Sequence, residues 1–128
     1  MSGLINFHPR FLMAHTFSII ARDPDSGEMG VAVQSHWFSV GSVVAWGKPG
    51  VGVVATQSMV EVSYGPRGLS LMEMGVPAPD ALQVLLEIDA GRELRQVAMI
   101  DSENRLGVHT GKRCIQAAGH VRGEGFSV

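Results

Sequence analysis

Alternating apolar and polar residues predict a β-hairpin near the start of the chain. Its first arm reads TFSIIAR and begins at Thr16, and its second arm reads MGVAVQ and begins at Met29. The segment between them, DPDSGE, contains Pro24, which fixes φ, and Gly27, which permits the positive φ of a reversal. We therefore expect the two arms to pair as neighbouring antiparallel strands.

A second apolar stretch predicts another hairpin. Residues 39–46 and 51–57 have strand-like composition, and the segment GKPG at 47–50 has Pro and Gly where a tight reversal needs them. The run 51–55 is almost continuously apolar, which is typical of a strand buried on both faces. Gly41 and Gly52 within these strand patterns predict bulges or a close backbone approach.

The period of the pattern then changes from strand-like to helical. Residues 66–74 and 79–88 each have Pro near the start, and Gly75 follows the first of them, as expected of helix ends. Strands are predicted again at 94–100, 105–110 and 125–128. Because strands and helices occur in blocks, the pattern predicts an α+β fold with largely antiparallel sheets.

Composition narrows the class of protein. With 128 residues, 45% apolar and 17% charged, the chain is long enough for one globular domain. A net charge of −2 with scattered basic residues predicts neither a nucleic-acid partner nor binding to an acidic membrane. No apolar run approaches the roughly 20 residues that span a bilayer. We predict a cytoplasmic domain at residues 16–128, preceded by an N-terminal extension at 1–15.

Metal and thiol chemistry have little support in the sequence. The five His residues share no metal-ligand spacing and there is a single cysteine, so we predict no metal site, no cofactor and no internal disulfide. Cys114 follows Lys112 and Arg113, which leaves thiol chemistry open as a distant alternative. The Gly-rich segments 65–68 and 111–113 are weak candidates for anion binding, because neither has phosphate-loop spacing.

Longer runs of the chain resemble a known family. The runs TFSIIARDPDSGEMGVAVQSHWFSVGSVVAW and GVGVVATQSMVEVSYGPRGLSLMEMG, and later VAMIDSENRLGVHTGKRC and AGHVRGEGFSV, resemble an uncharacterised family of predicted N-terminal-nucleophile (Ntn) hydrolases. The resemblance implies a fold similar to a proteasome β subunit, an αββα sandwich of two antiparallel sheets between two helical layers. Members of the family continue past GEGFSV, so we expect an incomplete sandwich that lacks the second helical layer. We therefore predict a homo-oligomer, or a further segment, that covers the open sheet.

The resemblance also implies chemistry at Thr16. In Ntn hydrolases the first residue of the first strand attacks an amide carbonyl, and its own free α-amine serves as the general base. Members typically begin Met-Thr, whereas fifteen residues precede Thr16 here. We therefore expect an amidohydrolase acting on a small-molecule or peptide amide, inactive unless the chain is cleaved between His15 and Thr16. Translation that starts at Met13 would leave Ala14, not Thr16, as the first residue after removal of the Met. Removal of Met1 would expose Ser2 as the first residue, but Ser2 lies fourteen residues before the strand.

Other site residues follow from the same resemblance. Those implied are Gln34, Ser35 and His36 at the end of the second strand, Lys48 in the turn at 47–50 as a residue that tunes the nucleophile, and Gln57 and Ser58 at the end of the fourth strand as cleft or oxyanion residues. Each has an ordinary alternative as a polar strand end or a solvated turn. The alternative function is a non-catalytic oligomeric or small-ligand-binding protein that keeps the fold.

Overall fold

The structure is a computed structural model that describes residues 15–128. Its elements in chain order are β1 (Thr16–Arg22), β2 (Met29–Ser35), α1 (Gly41–Val44), β3 (Ala45–Lys48), β4 (Gly52–Ser58), α2 (Tyr64–Glu73), α3 (Ala78–Ile88), β5 (Arg95–Asp101), β6 (Leu106–Thr110), β7 (Arg122–Gly123) and β8 (Phe126–Ser127). A 3₁₀ turn at Arg92–Leu94 precedes β5. The predicted extension lies outside the described residues, apart from His15.

The first predicted hairpin is confirmed. Strands β1 and β2 pair antiparallel in unbroken register, from Thr16 opposite Ser35 to Arg22 opposite Met29. Gly27 has a φ of 74°, as the reversal requires. This register sets which residues share a face with Thr16.

The second hairpin is shorter than predicted, because residues 41–44 form the short helix α1 rather than a strand. Ser39 has a φ of 58°, which ends the extended backbone, and the Val44 N–H donates to the Val40 carbonyl at 3.0 Å. Val40, Val43 and Val44 have i, i+3, i+4 spacing, so the turn directs all three toward the core. The prediction of a strand from residue 39 was wrong, because valine favours strands by composition, whereas packing of these valines against the core favours a helical turn.

Two four-stranded antiparallel sheets form the body of the fold. The first sheet has the order β2-β1-β8-β7 and the second has the order β3-β4-β5-β6. Strand β4 is buried on both faces as predicted, with Val53 and Ala55 facing the first sheet and Val54 facing the helices. A Cβ on Gly52 would lie 2.5 Å from the Ile100 carbonyl oxygen, which confirms the predicted close approach.

Both longer helices cover the outer face of the second sheet. They begin one or two residues earlier than predicted, and their buried side chains pack on Val54, Val97 and Met99. The buried Asp101 carboxylate accepts from the Ala78 N–H at 2.9 Å, which satisfies one of the free amides at the start of α3. The described residues thus form a mixed α+β fold with two antiparallel sheets and three α-helices. None of these helices is long and apolar enough to cross a membrane.

The outer face of the first sheet is exposed. Phe17 is 62% exposed, and Ile19 and Phe126 are 38% and 37% exposed. This is the apolar face that a homo-oligomer or a further segment was expected to cover, and that expectation stays a prediction.

Candidate functional site

Thr16 is the first residue of β1, and its side chain lies on the face of the first sheet that faces the second sheet. Its Oγ1 is 3.0 Å from the Ser35 Oγ directly opposite, a distance at which either hydroxyl can donate. The Ser35 Oγ also accepts from the Trp37 N–H at 3.0 Å. Because that contact uses Ser35 as an acceptor, its own proton is free for the Thr16 hydroxyl. The hairpin register therefore places the hydroxyls of Thr16 and Ser35 next to each other at the edge of the space between the two sheets.

The Thr16 nitrogen belongs to a peptide bond with His15. The His15 carbonyl accepts from the His36 N–H at 3.4 Å, which extends the β1–β2 ladder by one residue. An amide nitrogen cannot take up a proton near neutral pH, so the uncleaved chain has no base at this position.

Two cavities meet at Thr16, and Gln57 and Ser58 line both of them. The smaller cavity, about 60 Å³, also involves Gln96 and the loop 115–118. The larger cavity, about 410 Å³, is mainly apolar, and its further lining residues are His36, Trp37, Val40, Val43, Val44, Met59, Val60, Val62 and Ile115. Strand ends from both sheets therefore bring Thr16, Gln57 and Ser58 to one cleft, which we call the Thr16 cleft.

A chain of hydrogen bonds fixes the amide of Gln57. Its Nε2 donates to the Gln96 Oε1 at 2.6 Å, across the register that pairs these residues on β4 and β5. The Gln96 Nε2 in turn donates to the Gly119 carbonyl at 2.6 Å and to the Thr110 Oγ1 at 3.1 Å. Among the described residues, the buried Gln57 Oε1 has no hydrogen-bond partner. The amide nitrogen of Gln57, which would have to donate to an oxyanion, therefore already donates to Gln96.

Two of the four described residues other than Gly that have a positive φ line the same cleft. Ser58 has a φ of 70° and Ala117 a φ of 63°, and both residues line the smaller cavity. Left-handed backbone at a residue other than Gly costs on the order of 1 kcal/mol and is often found at functional sites. The Ser58 Oγ accepts from the Ile115 N–H at 3.4 Å, so the loop that carries Ala117 is bonded to the end of β4.

Two of the predicted site residues are not brought to Thr16. Gln34 is opposite Phe17 in the ladder, so its side chain points to the exposed outer face of the first sheet. Lys48 pairs with Gly52, at the end of β4 remote from Gln57, and its Nζ lies 2.6 Å from the Glu73 carboxylate. Five residues of strand separate these ends, or about 16 Å.

A second polar cluster, which sequence analysis did not find, lies between α2, α3 and β5. The Asp89 carboxylate accepts from the Arg95 Nε at 2.9 Å, from the Gly91 N–H at 2.7 Å and from the Tyr64 hydroxyl at 3.0 Å. The Arg95 hydrogen bond, followed by those of Gly91 and Tyr64, holds the pKa of Asp89 below its usual value. Burial, and then the bond to Asp89, raises the pKa of Tyr64, so the phenol stays a donor. We call this group the Asp89 cluster.

The Asp89 cluster also touches the cleft. The Arg95 Nη1 donates to the Met59 carbonyl at 2.8 Å, and the Met59 N–H donates to the Leu94 carbonyl at 3.2 Å. Because Met59 lines the larger cavity, these bonds hold part of its rim in place.

The other candidate chemistries find little support in the structure. Among residues 15–128, no group of His, Cys, Asp or Glu side chains could hold a metal ion. The half-buried Cys114 thiol donates to the Arg95 carbonyl at 3.2 Å. Gly65 lies against the Trp46 ring and Gly111 against the backbone of Glu93, so close packing accounts for both glycines.

The fold and site define a class of α+β protein in which a cleft between the ends of two antiparallel sheets holds a Thr–Ser pair. The chain belongs to DUF1028, a family of unknown function, whose profile matches residues 16–128. Its fold is similar to the crystal structure of protein SPO2555 from Silicibacter pomeroyi, also assigned to DUF1028, with a TM-score of 0.82 and 29% identity. The match covers 88% of this chain and 52% of that protein, so this chain spans about half of its length. No curated protein matches the chain.

Proposed function

We propose that the Thr16 cleft hydrolyses a C–N amide or peptide-like bond, with Thr16 as an N-terminal nucleophile released by cleavage after His15. The observation that carries the proposal is the Thr16 hydroxyl, paired with Ser35 at 3.0 Å and located where both cavities meet. The resemblance to Ntn hydrolases, with their αββα sandwich, supplies the reaction class. The two stacked antiparallel sheets and the helical layer on the second sheet agree with the first three layers of such a sandwich.

The chemistry requires a free α-amine on Thr16, whose pKa near 8 suits a general base. The amine takes the hydroxyl proton as Oγ1 attacks the amide carbonyl. The C–N bond then breaks, and the departing amine leaves with that proton. The same α-amine then deprotonates a water molecule, which attacks the carbonyl carbon of the remaining ester. The ester bond to Thr16 Oγ1 breaks, and the α-amine gives the proton to this oxygen. The Ser35 hydroxyl supports this cycle by holding Oγ1 in position.

A specific observation favours a second candidate, a small-ligand-binding protein without catalysis. As the chain stands, the Thr16 nitrogen is an amide and the His15 carbonyl pairs with His36. Binding in the larger cavity needs no amine, so it is compatible with an uncleaved chain.

A comparison of two variants tests the proposal. Protein released at Thr16 is assayed with phenylacetyl-p-nitroanilide and related anilides, and Thr16→Ala is expected to lower kcat/KM at least about a thousandfold. Ser18→Ala is the matched control, because Ser18 lies two residues along the same strand on the same face and should change kcat/KM less than about twofold. Equal activity of the released protein and Thr16→Ala would rule out Thr16 as the nucleophile.

A further inference from the structure

An unsatisfied acceptor lies beside Thr16. Gln57 is only 8% exposed, and its Oε1 is buried without a partner among the described residues. Buried polar atoms nearly always have a hydrogen-bond partner, because leaving one unpaired costs free energy. The side chain lines both cavities that meet at Thr16, which places its amide beside the space that a bound molecule would occupy.

The orientation of this acceptor is fixed. The Gly119 carbonyl can only accept, so the atom of Gln96 that lies 2.6 Å from it must be the amide nitrogen. The other atom of that amide, Oε1, must then accept from the Gln57 Nε2 at 2.6 Å. The remaining Gln57 atom is therefore an oxygen, and turning the amide over would place two oxygens 2.6 Å apart.

The larger cavity selects for apolar groups. Among the described residues, the lining of this cavity consists of aliphatic and aromatic side chains, the polar groups of Thr16, Gln57 and Ser58, and the imidazole of His36. None of these described lining residues has a carboxylate, ammonium or guanidinium group. A volume of about 410 Å³ lies within the range for small-molecule sites, about 300–1,000 Å³. A charged group inside it would lose hydration without a paired partner, which is costly.

The rim of this cavity is unusually apolar for a surface. Trp37 is 68% exposed, Met59 is 53% exposed and Ile115 is 41% exposed. Apolar side chains grouped around a cavity are typical of a binding site, because a bound molecule removes their surface from water.

From these observations we propose that the cleft recognises an amide carrying an uncharged apolar acyl group or side chain. The apolar group fills the larger cavity, and the amide N–H donates to Gln57 Oε1. Gln57 is thus a specificity-determining residue, and Gln96 is the positioning residue that orients it. The inference rests on the proposed function for its place in a reaction, but binding itself needs no cleavage of the chain.

Two isosteric probes test the role of Gln57. N-Butylphenylacetamide has the N–H, whereas butyl phenylacetate replaces it with an ester oxygen. Binding to the full chain is followed by the NMR shift of the Trp37 indole N–H, with the Trp46 indole, which lies outside the cavity lining, as reference. We expect the amide to bind about fivefold more tightly than the ester, the ratio that one ordinary hydrogen bond gives. Equal Kd values for the two probes would overturn the role of Gln57.

Variants locate the contact. Gln57→Met is expected to abolish the preference for the amide while leaving the Kd of the ester within about twofold. Gln96→Met frees the Gln57 amide, so we expect it to reduce the preference, and Gln83→Met on the exposed face of α3 is the matched control. An unchanged preference in Gln57→Met would overturn the proposal.

Filling the cavity tests the apolar part. Val60→Phe is expected to weaken both probes more than tenfold, whereas Val84→Phe, at an exposed position of α3, should leave both Kd values unchanged. Met59→Ala, at an exposed rim position where folding is not at risk, should weaken both probes about threefold. A probe carrying a para-carboxylate on its ring should bind at least tenfold more weakly than the parent amide. Binding that is indifferent to Met59→Ala, Val60→Phe and the carboxylate would overturn the apolar site.

The outcome is separable from that of the proposed function. If the released protein hydrolyses anilides but the amide and ester bind equally, the inference fails and the hydrolase stands. If the amide preference depends on Gln57 but the released protein has no Thr16-dependent activity, the recognition stands and the hydrolase fails.

Discussion

The Asp89 cluster and the Thr16 cleft meet at Met59 but differ in how well their polar groups are satisfied. In the Asp89 cluster both carboxylate oxygens accept from Arg95, and a backbone N–H and a phenol complete the set. In the Thr16 cleft, Gln57 is only 8% exposed, yet the oxygen of its side-chain amide is unpaired among the described residues and the adjacent Ser58 is strained. A fully paired cluster stabilises a fold, whereas an unpaired acceptor beside a cavity leaves one hydrogen bond for the proposed ligand to make.

Removing the centre of the paired cluster should have the largest effect. We expect Asp89→Ala to lower the free energy of unfolding by about 3 kcal/mol, because it leaves the Arg95 guanidinium and the Tyr64 hydroxyl without their partner in a site only 13–16% exposed. Urea denaturation measures the change. The matched control is Glu73→Gln, which breaks the exposed Lys48–Glu73 pair and should cost less than about 0.5 kcal/mol. Equal costs for the two variants would contradict the contrast.

Acidic pH should remove the contribution of the Asp89 carboxylate to the free energy of unfolding. The pKa of Asp89 is lower in the folded protein than its usual value of 3.8, so its stabilisation is fully present above that value. The stabilisation is lost as the pH falls through the folded pKa. The difference in unfolding free energy between wild type and Asp89→Asn should therefore be constant near pH 6 and shrink below about pH 4. A difference that stays constant down to pH 2 would mean that the carboxylate charge contributes nothing.

Relieving backbone strain in the cleft should have the smallest effect on the free energy of unfolding, and it should raise that free energy. Ala117→Gly is expected to raise the free energy of unfolding by about 0.5 kcal/mol, because Gly adopts the φ of 63° without the Cβ penalty. Ala118→Gly, at the next residue, where φ is not positive, should instead lower it by about 0.5 kcal/mol. Thermal unfolding of the two variants checks the signs, and a destabilising Ala117→Gly would show that the loop stores no strain.

Local patterns were enough to predict the framework of the fold. Pro24 and Gly27 determine the first reversal, and the burial of β4 follows from its continuous apolar run. The helix α1 was missed because three valines favour a strand by composition, although their i, i+3, i+4 spacing is helical. At length four, tertiary packing rather than propensity decides between the two.

The site was only partly predictable for a related reason. The Thr16–Ser35 pair follows from the hairpin register, and the period of two should already have separated Gln34 from Thr16, since Gln34 pairs with Phe17. Gln96 was missed because it lies 39 residues from Gln57 in sequence and meets it only through the β4–β5 register. No local sequence signal identifies such a partner.

The N terminus of the purified protein is the most direct test of the central claim, that Thr16 acts as a free N-terminal nucleophile. Intact mass and N-terminal sequencing should find a chain that begins at Thr16 and has lost residues 1–15. A chain that still begins at Met1 or Ser2 would leave the Thr16 nitrogen as an amide. That result would contradict the hydrolase and favour the ligand-binding alternative.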